Sequence, residues 1–132
     1  MLKPFHLSFV VPDLQQARKF YLDSLGCDLG RDTAAWIDII FFGHQLTLHQ
    51  QNENMESKVI DHFGPVLDKE QWQALSQKLI ASNTEFQLKP TIKNQGNKKE
   101  SGKFIIKDPA GNIIEFKYYL SFAEIVAKSN NG

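Results

Sequence analysis

The chain has 132 residues, the length of one ordinary domain, and 42% of them are apolar, enough for a core without disulfides. Its 15 basic and 15 acidic residues cancel, so no bulk charge favours nucleic acid or an anionic membrane as a partner. The single Cys27 excludes an internal disulfide. Residues 1–6 lack the apolar core of a signal peptide, and the longest apolar stretch, residues 34–42, is too short to cross a bilayer. We therefore expect a soluble, cytoplasmic domain.

The first half of the chain predicts a strand, a helix and three more strands. Apolar residues alternate over residues 5–11, which is typical of a strand with one buried face. Asp13 is a predicted helix N-cap, Gln16 completes a capping box, and apolar residues at helical spacing lead to Gly26, a residue suited to end a helix. Three extended segments complete this half, at residues 27–31, 36–42 and 45–50.

The second half repeats this order of elements. Residues 61–67 predict a strand, and Asp68 with Gln71 forms a second capping box before a helix that can end at Asn83. The remaining predicted strands are residues 84–88, 103–107 and 113–118, with a turn at residues 108–112 before the last of them. The polar residues 52–58 are the predicted linker between the two halves.

This repeated order defines the predicted fold class. We expect one α+β domain over residues 1–132, built from two βαβββ modules at about 4–51 and 60–119, with a short terminal helix at about 121–128. Residues 89–102 are rich in Lys, Asn and Gly, and we interpret them as a long loop that is either functional or disordered.

Four side chains of the metal-ligand type occupy corresponding places in the two predicted modules. His6 and His62 lie on the first strands, and His49 and Glu115 lie on the last strands. Each is on the less apolar face of its strand, so the four converge if these faces curve toward each other. Imidazoles with one carboxylate suit divalent iron, manganese, nickel, cobalt or zinc. The fourth histidine, His44, follows Gly43 in a connection, and we favour a turn or hydrogen-bonding role for it over a ligand role.

Two segments carry a resemblance to a known family. Residues 5–14 (FHLSFVVPDL), continuing to Phe20-Tyr21 and Leu25-Gly26, and residues 107–116 (KDPAGNIIEF) resemble the vicinal oxygen chelate superfamily. This superfamily includes glyoxalase I, type I extradiol dioxygenases, fosfomycin-resistance thiol transferases and bleomycin-resistance proteins. The resemblance implies that the two modules form a curved, half-open mixed sheet around a central metal cleft.

The same resemblance implies a ligand set. His6 and His62 match the first-strand ligands of the two modules, and Glu115 matches the closing-strand glutamate. His49 stands where glyoxalase I has a glutamate that also moves protons, which counts against glyoxalase I itself. We therefore expect His49 to be either a fourth ligand or a catalytic general base.

The function that we expect is that of a divalent-metal-dependent enzyme whose small substrate chelates the metal through adjacent oxygens, in the manner of an extradiol dioxygenase. A glyoxalase I-like lyase or a thiol transferase is the alternative, although residues 116–120 do not resemble the phosphonate-binding tail of the transferases. The second alternative is a non-catalytic, ligand-sequestering protein of the bleomycin-resistance kind. Short members of the superfamily resemble homodimers, so we expect a homodimer, with Ile39, Phe41 and Phe42 as candidate contacts or, alternatively, as core.

Overall fold

The structure is a computed structural model that describes residues 4–53, 60 and 62–121. The chain divides into two compact units. Unit 1 comprises residues 1–61 with residues 108–112, and unit 2 comprises residues 62–107 with residues 113–132. Each unit contains one open, four-stranded mixed sheet. The predicted α+β class is therefore confirmed, and the predicted terminal helix lies outside the described residues.

Unit 1 has the predicted order of one strand, one helix and three strands. Its strands are β1 (His6–Val11), β2 (Asp28–Asp32), β3 (Trp36–Phe41) and β4 (His44–Gln50), and its helix is α1 (Leu14–Lys19). The sheet order is β1-β4-β3-β2, with β1 parallel to β4 and the other neighbours antiparallel. Helix α1 covers only the first part of the predicted helix, because Phe20–Ser24 forms a π-helical turn.

The caps and turns of unit 1 follow the sequence. The Asp13 side chain accepts a hydrogen bond from the Gln16 backbone amide, as the predicted N-cap requires. Phe42 and Gly43 both have positive φ angles, 50° and 84°, which is the backbone of a tight hairpin turn between β3 and β4. These two local features fix where α1 begins and how β3 pairs with β4.

One face of the sheet in unit 1 is the apolar core. The fully buried side chains include those of β1, β3 and β4 that share one parity: Val11, Ile37, Ile39, Leu46 and Leu48. Phe41 is also buried, so Ile39 and Phe41 belong to the core and are unavailable as the dimer contacts considered from the sequence. Ile39 and Phe41 are buried because successive strand side chains alternate between the two faces, and both lie on the same face of β3 as Ile37.

A buried hydrogen bond holds the turn at residues 108–112 to unit 1. The hydroxyl of Tyr21, which is fully buried, donates to Asp108 Oδ2 at 3.0 Å. Burial, together with the neighbouring carboxylate of Asp108, raises the pKa of Tyr21 well above its usual range. Asp108 Oδ1 also accepts from the backbone amides of Ala110 and Asn112, which closes the turn.

Unit 2 repeats the plan of unit 1. Its strands are β5 (Val66–Leu67), β6 (Phe86–Lys93), β7 (Ser101–Lys107) and β8 (Ile113–Tyr119), and its helix is α2 (Lys69–Ala81), capped by Asp68. The sheet order is β5-β8-β7-β6, with β5 parallel to β8. Helix α2 packs on the face that carries Phe104, Phe116 and Tyr118, and the Trp72 indole donates to the Phe116 carbonyl at 2.9 Å.

Two strands of unit 2 differ from their predicted lengths. The strand predicted at residues 61–67 is reduced to β5 and an isolated bridge between Phe63 and Ile114, because Pro65 has no amide hydrogen to donate. Residue 61 lies outside the described residues. Strand β6 runs further than predicted, to Lys93, so the loop expected at residues 89–102 shrinks to residues 94–100. Because β6 is an edge strand with irregular pairing, it tolerates Pro90.

A buried carboxylate ties the loop before β7 to the rest of unit 2. Glu100 is 3% exposed and accepts hydrogen bonds from the Tyr118 hydroxyl at 3.0 Å and the Gly96 amide at 2.9 Å. Its Oε2 also lies 2.8 Å from Lys69 Nζ. The Lys69 contact and the Gly96 amide outweigh the opposing effect of burial and lower the pKa of Glu100 to about 2.

Replacing Glu100 by glutamine should make the protein less stable at neutral pH and less sensitive to acid. A carboxyl whose pKa falls from 4.5 to about 2 on folding stabilises the native state fully above pH 4.5, and this stability is lost as the pH falls toward 2. Urea unfolding at pH 7, 4 and 2.5 measures the effect. Glu85→Gln, at an exposed position, is the control. Parallel pH profiles for wild type and Glu100→Gln would contradict the assignment.

Candidate functional site

Unit 1 presents two predicted ligands on the face of its sheet opposite the core, but its register separates them. His6 on β1 is paired with Gln45 on β4, whereas His49 is paired with Val10. The two histidines are therefore four positions apart along adjacent strands, or about 13 Å at 3.3 Å per residue. The structure does not bring His6 and His49 together within this unit.

The position between these histidines is occupied by a buried polar pair. Thr47 is level with Ser8 on β1 and with Asp38 on β3, and its hydroxyl donates to Asp38 Oδ1 at 2.8 Å. Arg31 Nε donates to the other oxygen of Asp38 at 2.5 Å, and the Arg31 guanidinium lies over the Trp36 ring. Although burial alone raises the pKa of Asp38, these hydrogen bonds hold that pKa below its usual value. Asp38 is therefore a fixed negative charge on this face.

His49 and His44 have different surroundings in unit 1. His49 is half-buried and is paired with Trp36 on β3, with the two ring centres 6.4 Å apart. His44 is the first residue of β4, and its Nδ1 accepts a hydrogen bond from the Phe5 backbone amide at 2.7 Å. The hydrogen-bonding role favoured for His44 is thus confirmed.

Unit 2 brings two predicted ligands together. His62 Nε2 lies 3.3 Å from Glu115 Oε2, and the Glu115 side chain is only 13% exposed. Backbone hydrogen bonds hold the two segments, because the Phe63 amide donates to the Ile113 carbonyl and the Glu115 amide donates to the Phe63 carbonyl. Gly64 permits this close approach, since a Cβ atom there would lie 1.7 Å from the Glu115 carbonyl oxygen.

The second oxygen of Glu115 faces a lysine. Lys117 Nζ lies 3.6 Å from Glu115 Oε1. A hydrogen bond with Tyr119, and to a smaller extent the charge of Glu115, raise the pKa of Lys117, so it remains protonated. The carboxylate is thus held between an imidazole on one side and an ammonium group on the other.

The strand positions of the two units do not correspond as the sequence suggests. In unit 2, the bridge between Phe63 and Ile114 makes His62 level with Ile113, so Glu115 lies two positions further along β8. In unit 1, His6 is level with Gln45 on β4, and the residue two positions further along β4 is Thr47. Thr47, and not His49, therefore stands at the strand position of Glu115. The ligand role of His49 stays a prediction.

The donor chemistry of unit 2 fits a divalent metal. Nitrogen and oxygen donors bound to one ion at about 2.1 Å each lie about 3.0–3.4 Å apart, and the His62–Glu115 separation of 3.3 Å agrees with this spacing. Within either unit, no three His, Cys, Asp or Glu side chains among the described residues form a metal-binding cluster. The pair in unit 2 therefore needs at least one further donor.

Sequence reasoning missed two groups that the structure reveals. The Asp38–Thr47–Arg31 network was signalled only by a charged residue inside an apolar strand. The contact of Lys117 with Glu115 depends on their shared parity on β8, which the sequence does contain. No helix in the part of the chain that the structure describes is both long and apolar enough to span a membrane.

Comparisons with known proteins agree with this architecture. Residues 3–116 match the family model of the Glyoxalase/Bleomycin resistance protein/Dioxygenase superfamily. The chain is similar to a solved glyoxalase/bleomycin resistance protein/dioxygenase from Alicyclobacillus acidocaldarius, with 31% identity, a TM-score of 0.76 and coverage of 96% of each chain. No curated protein matches the chain significantly.

More distant solved structures share the fold. A lactoylglutathione lyase from Agrobacterium tumefaciens is 17% identical, with a TM-score of 0.62 over 88% of this chain and 92% of that chain. A genomically encoded fosfomycin resistance protein from Listeria monocytogenes is 14% identical, with a TM-score of 0.66 over 94% of this chain and 98% of that chain.

Proposed function

Because the chain belongs to the Glyoxalase/Bleomycin resistance protein/Dioxygenase superfamily, we propose that it is a divalent-metal-dependent enzyme. Its substrate is a small molecule that chelates the metal through adjacent oxygens, and its reaction is of the extradiol-dioxygenase type. The observation that carries this proposal is the 3.3 Å approach of His62 Nε2 to Glu115 Oε2 on a half-buried sheet face.

The proposed ligand set is His62, Glu115 and His6, the last taken from the sequence pattern. Two histidines and one carboxylate are typical of non-haem Fe(II) enzymes that leave positions open for substrate and O2. The chemistry that a bound ion supplies is Lewis-acid stabilisation of negative charge on the substrate oxygens. Lys117 supports the set because it contacts Glu115 Oε1 and leaves Oε2 directed toward His62.

The register of unit 1 disfavours the glyoxalase I-like alternative. That chemistry uses a carboxylate base on the last strand of the first module, and Thr47 stands at the position equivalent to Glu115. The Thr47 hydroxyl already donates a hydrogen bond to Asp38. The lowered pKa of Asp38 makes that carboxylate a weak base. The dioxygenase-type reaction does not require a carboxylate at this position.

Metal loading followed by a substrate screen tests the proposal. Protein reconstituted anaerobically with Fe(II) should consume O2 on addition of a catechol, whereas Glu115→Ala should not. Conversion of 2-oxoaldehyde–thiol adducts without O2 uptake would support the lyase instead. Protein that binds no divalent metal would support a ligand-sequestering function, and the proposal would then be wrong.

We also propose that the chain forms a homodimer. Because Ile39 and Phe41 are buried, Phe42 is the remaining candidate from the sequence, and Leu29 and Ile40 are further apolar residues exposed on β2 and β3 at 37% and 40%. Light scattering at micromolar concentration should give about twice the chain mass of 15.1 kDa. A single species at the chain mass would contradict this proposal.

A further inference from the structure

The face of unit 2 that carries Glu115 also carries three lysines, two of which are directly opposite each other. Lys117 on β8 is paired with Lys103 on β7, and Lys103 is paired with Thr91 on β6. In the next row of the sheet, Tyr119 on β8 is paired with Ser101 on β7, and Ser101 is paired with Lys93 on β6. These two rows of side chains line a pocket of about 130 Å³ that lies entirely within unit 2.

This pocket has an excess of positive charge that the chain as a whole does not have. The chain has no net charge, but three lysines line the pocket, and in the part of the chain that the structure describes Glu115 is the one carboxylate that contacts any of them. Neither Lys93 nor Lys103 has a carboxylate within ion-pair distance among the described residues. The charge of these lysines is therefore available to a ligand.

The lysine pair also has an energetic cost. Lys103 and Lys117 are directly opposite each other on antiparallel strands, and like charges in that position destabilise a sheet. A bound anion would convert this repulsion into two favourable contacts. The hydroxyls of Ser101 and Tyr119 line the same pocket and can donate hydrogen bonds to anionic oxygens, whereas the Thr91 hydroxyl already donates to the Lys89 carbonyl at 2.8 Å.

We propose that this pocket binds an anionic group of the substrate, namely a phosphate, phosphonate or carboxylate. The volume of about 130 Å³ is about four times the 30 Å³ occupied by a water molecule, which suits one such group. The inference rests on the proposed function, because Lys117 is two positions from Glu115 on the same strand face. Lys117 Nζ lies 3.6 Å from Glu115 Oε1, so the pocket is next to the proposed metal ligand, and a substrate that chelates the metal can place an anionic group in it.

Titration of the metal-free protein with inorganic phosphate at low ionic strength tests the pocket directly. Wild type should bind saturably, and Lys103→Gln should weaken binding about tenfold because one charge-assisted contact is lost. Lys78→Gln is the matched control, since it removes the same charge from an exposed position on α2. Equal weakening by the two variants, or no saturable binding to wild type, would overturn the proposal.

Two further measurements separate this inference from the proposed function. Lys103→Gln should leave metal affinity unchanged and should not lower the thermal midpoint, because it removes a like-charge pair. Glu115→Ala should lose metal but bind phosphate at least as tightly as wild type, since it removes the negative charge beside Lys117. Loss of metal by Glu115→Ala with no effect of Lys103→Gln on phosphate would reject the anion pocket and leave the metal site standing.

Discussion

Replacing Glu115 by alanine is expected to lower the affinity for a divalent metal by at least about tenfold while the domain stays folded. The carboxylate is 13% exposed and contacts His62 and Lys117, whereas the apolar core of β8 lies on the opposite face, at Ile114 and Phe116. Removing it therefore deletes a donor without opening a cavity in that core. Its loss should be visible in metal binding before it is visible in stability.

Competition with a chromogenic chelator measures this change, with Zn(II) or Co(II) as the probe ion. Glu85→Ala is the control, because this glutamate is exposed and lies before β6. The control should have wild-type affinity, and the thermal midpoints of both variants should remain close to that of wild type. Unchanged affinity and stoichiometry in Glu115→Ala would remove Glu115 from the ligand set.

The elements that local patterns encode were predictable from the sequence. Asp13 and Asp68 each accept a hydrogen bond from the backbone amide three residues later, as the two capping boxes predict. The alternation on β1 and β8 correctly separates the buried face from the other face, whereas on β4 Thr47 is buried on the face opposite the apolar core. The resemblance to the superfamily is confirmed by the match over residues 3–116. Each of these signals depends on residues that are close together in the sequence, so it can be read without knowledge of the tertiary structure.

The strand register was not predictable in the same way. Residues 45, 47 and 49 share one parity, so a shift of two positions leaves the alternation unchanged and puts a different side chain at the position in unit 1 that is equivalent to Glu115 in unit 2. This is why the pattern pointed to His49 where the structure has Thr47. The cross-strand pairing of Lys103 with Lys117 likewise depends on how β7 meets β8, which no local pattern specifies.

Alanine at His49 and alanine at His62 are expected to have different effects. His62 contacts Glu115, and its removal should lower metal affinity by at least about tenfold and abolish turnover. His49 is four positions from the residue paired with His6 and lies against Trp36. His49→Ala should therefore keep most of the metal and lower kcat by about 100-fold or more, the range expected for loss of a general base.

His44→Ala is the matched control for this comparison, because it removes an imidazole that hydrogen-bonds the Phe5 amide and lies on the opposite face of β4 from His49. It should keep both metal and kcat. Metal content and kcat are measured on the same preparations of all three variants. If His49→Ala loses metal as completely as His62→Ala, the site has four ligands and His49 is not a free base. If neither variant loses metal, the ligand set is wrong. The register of unit 1 explains why His49 is not needed to hold the metal, but His62 contacts Glu115 and its removal should still release the metal.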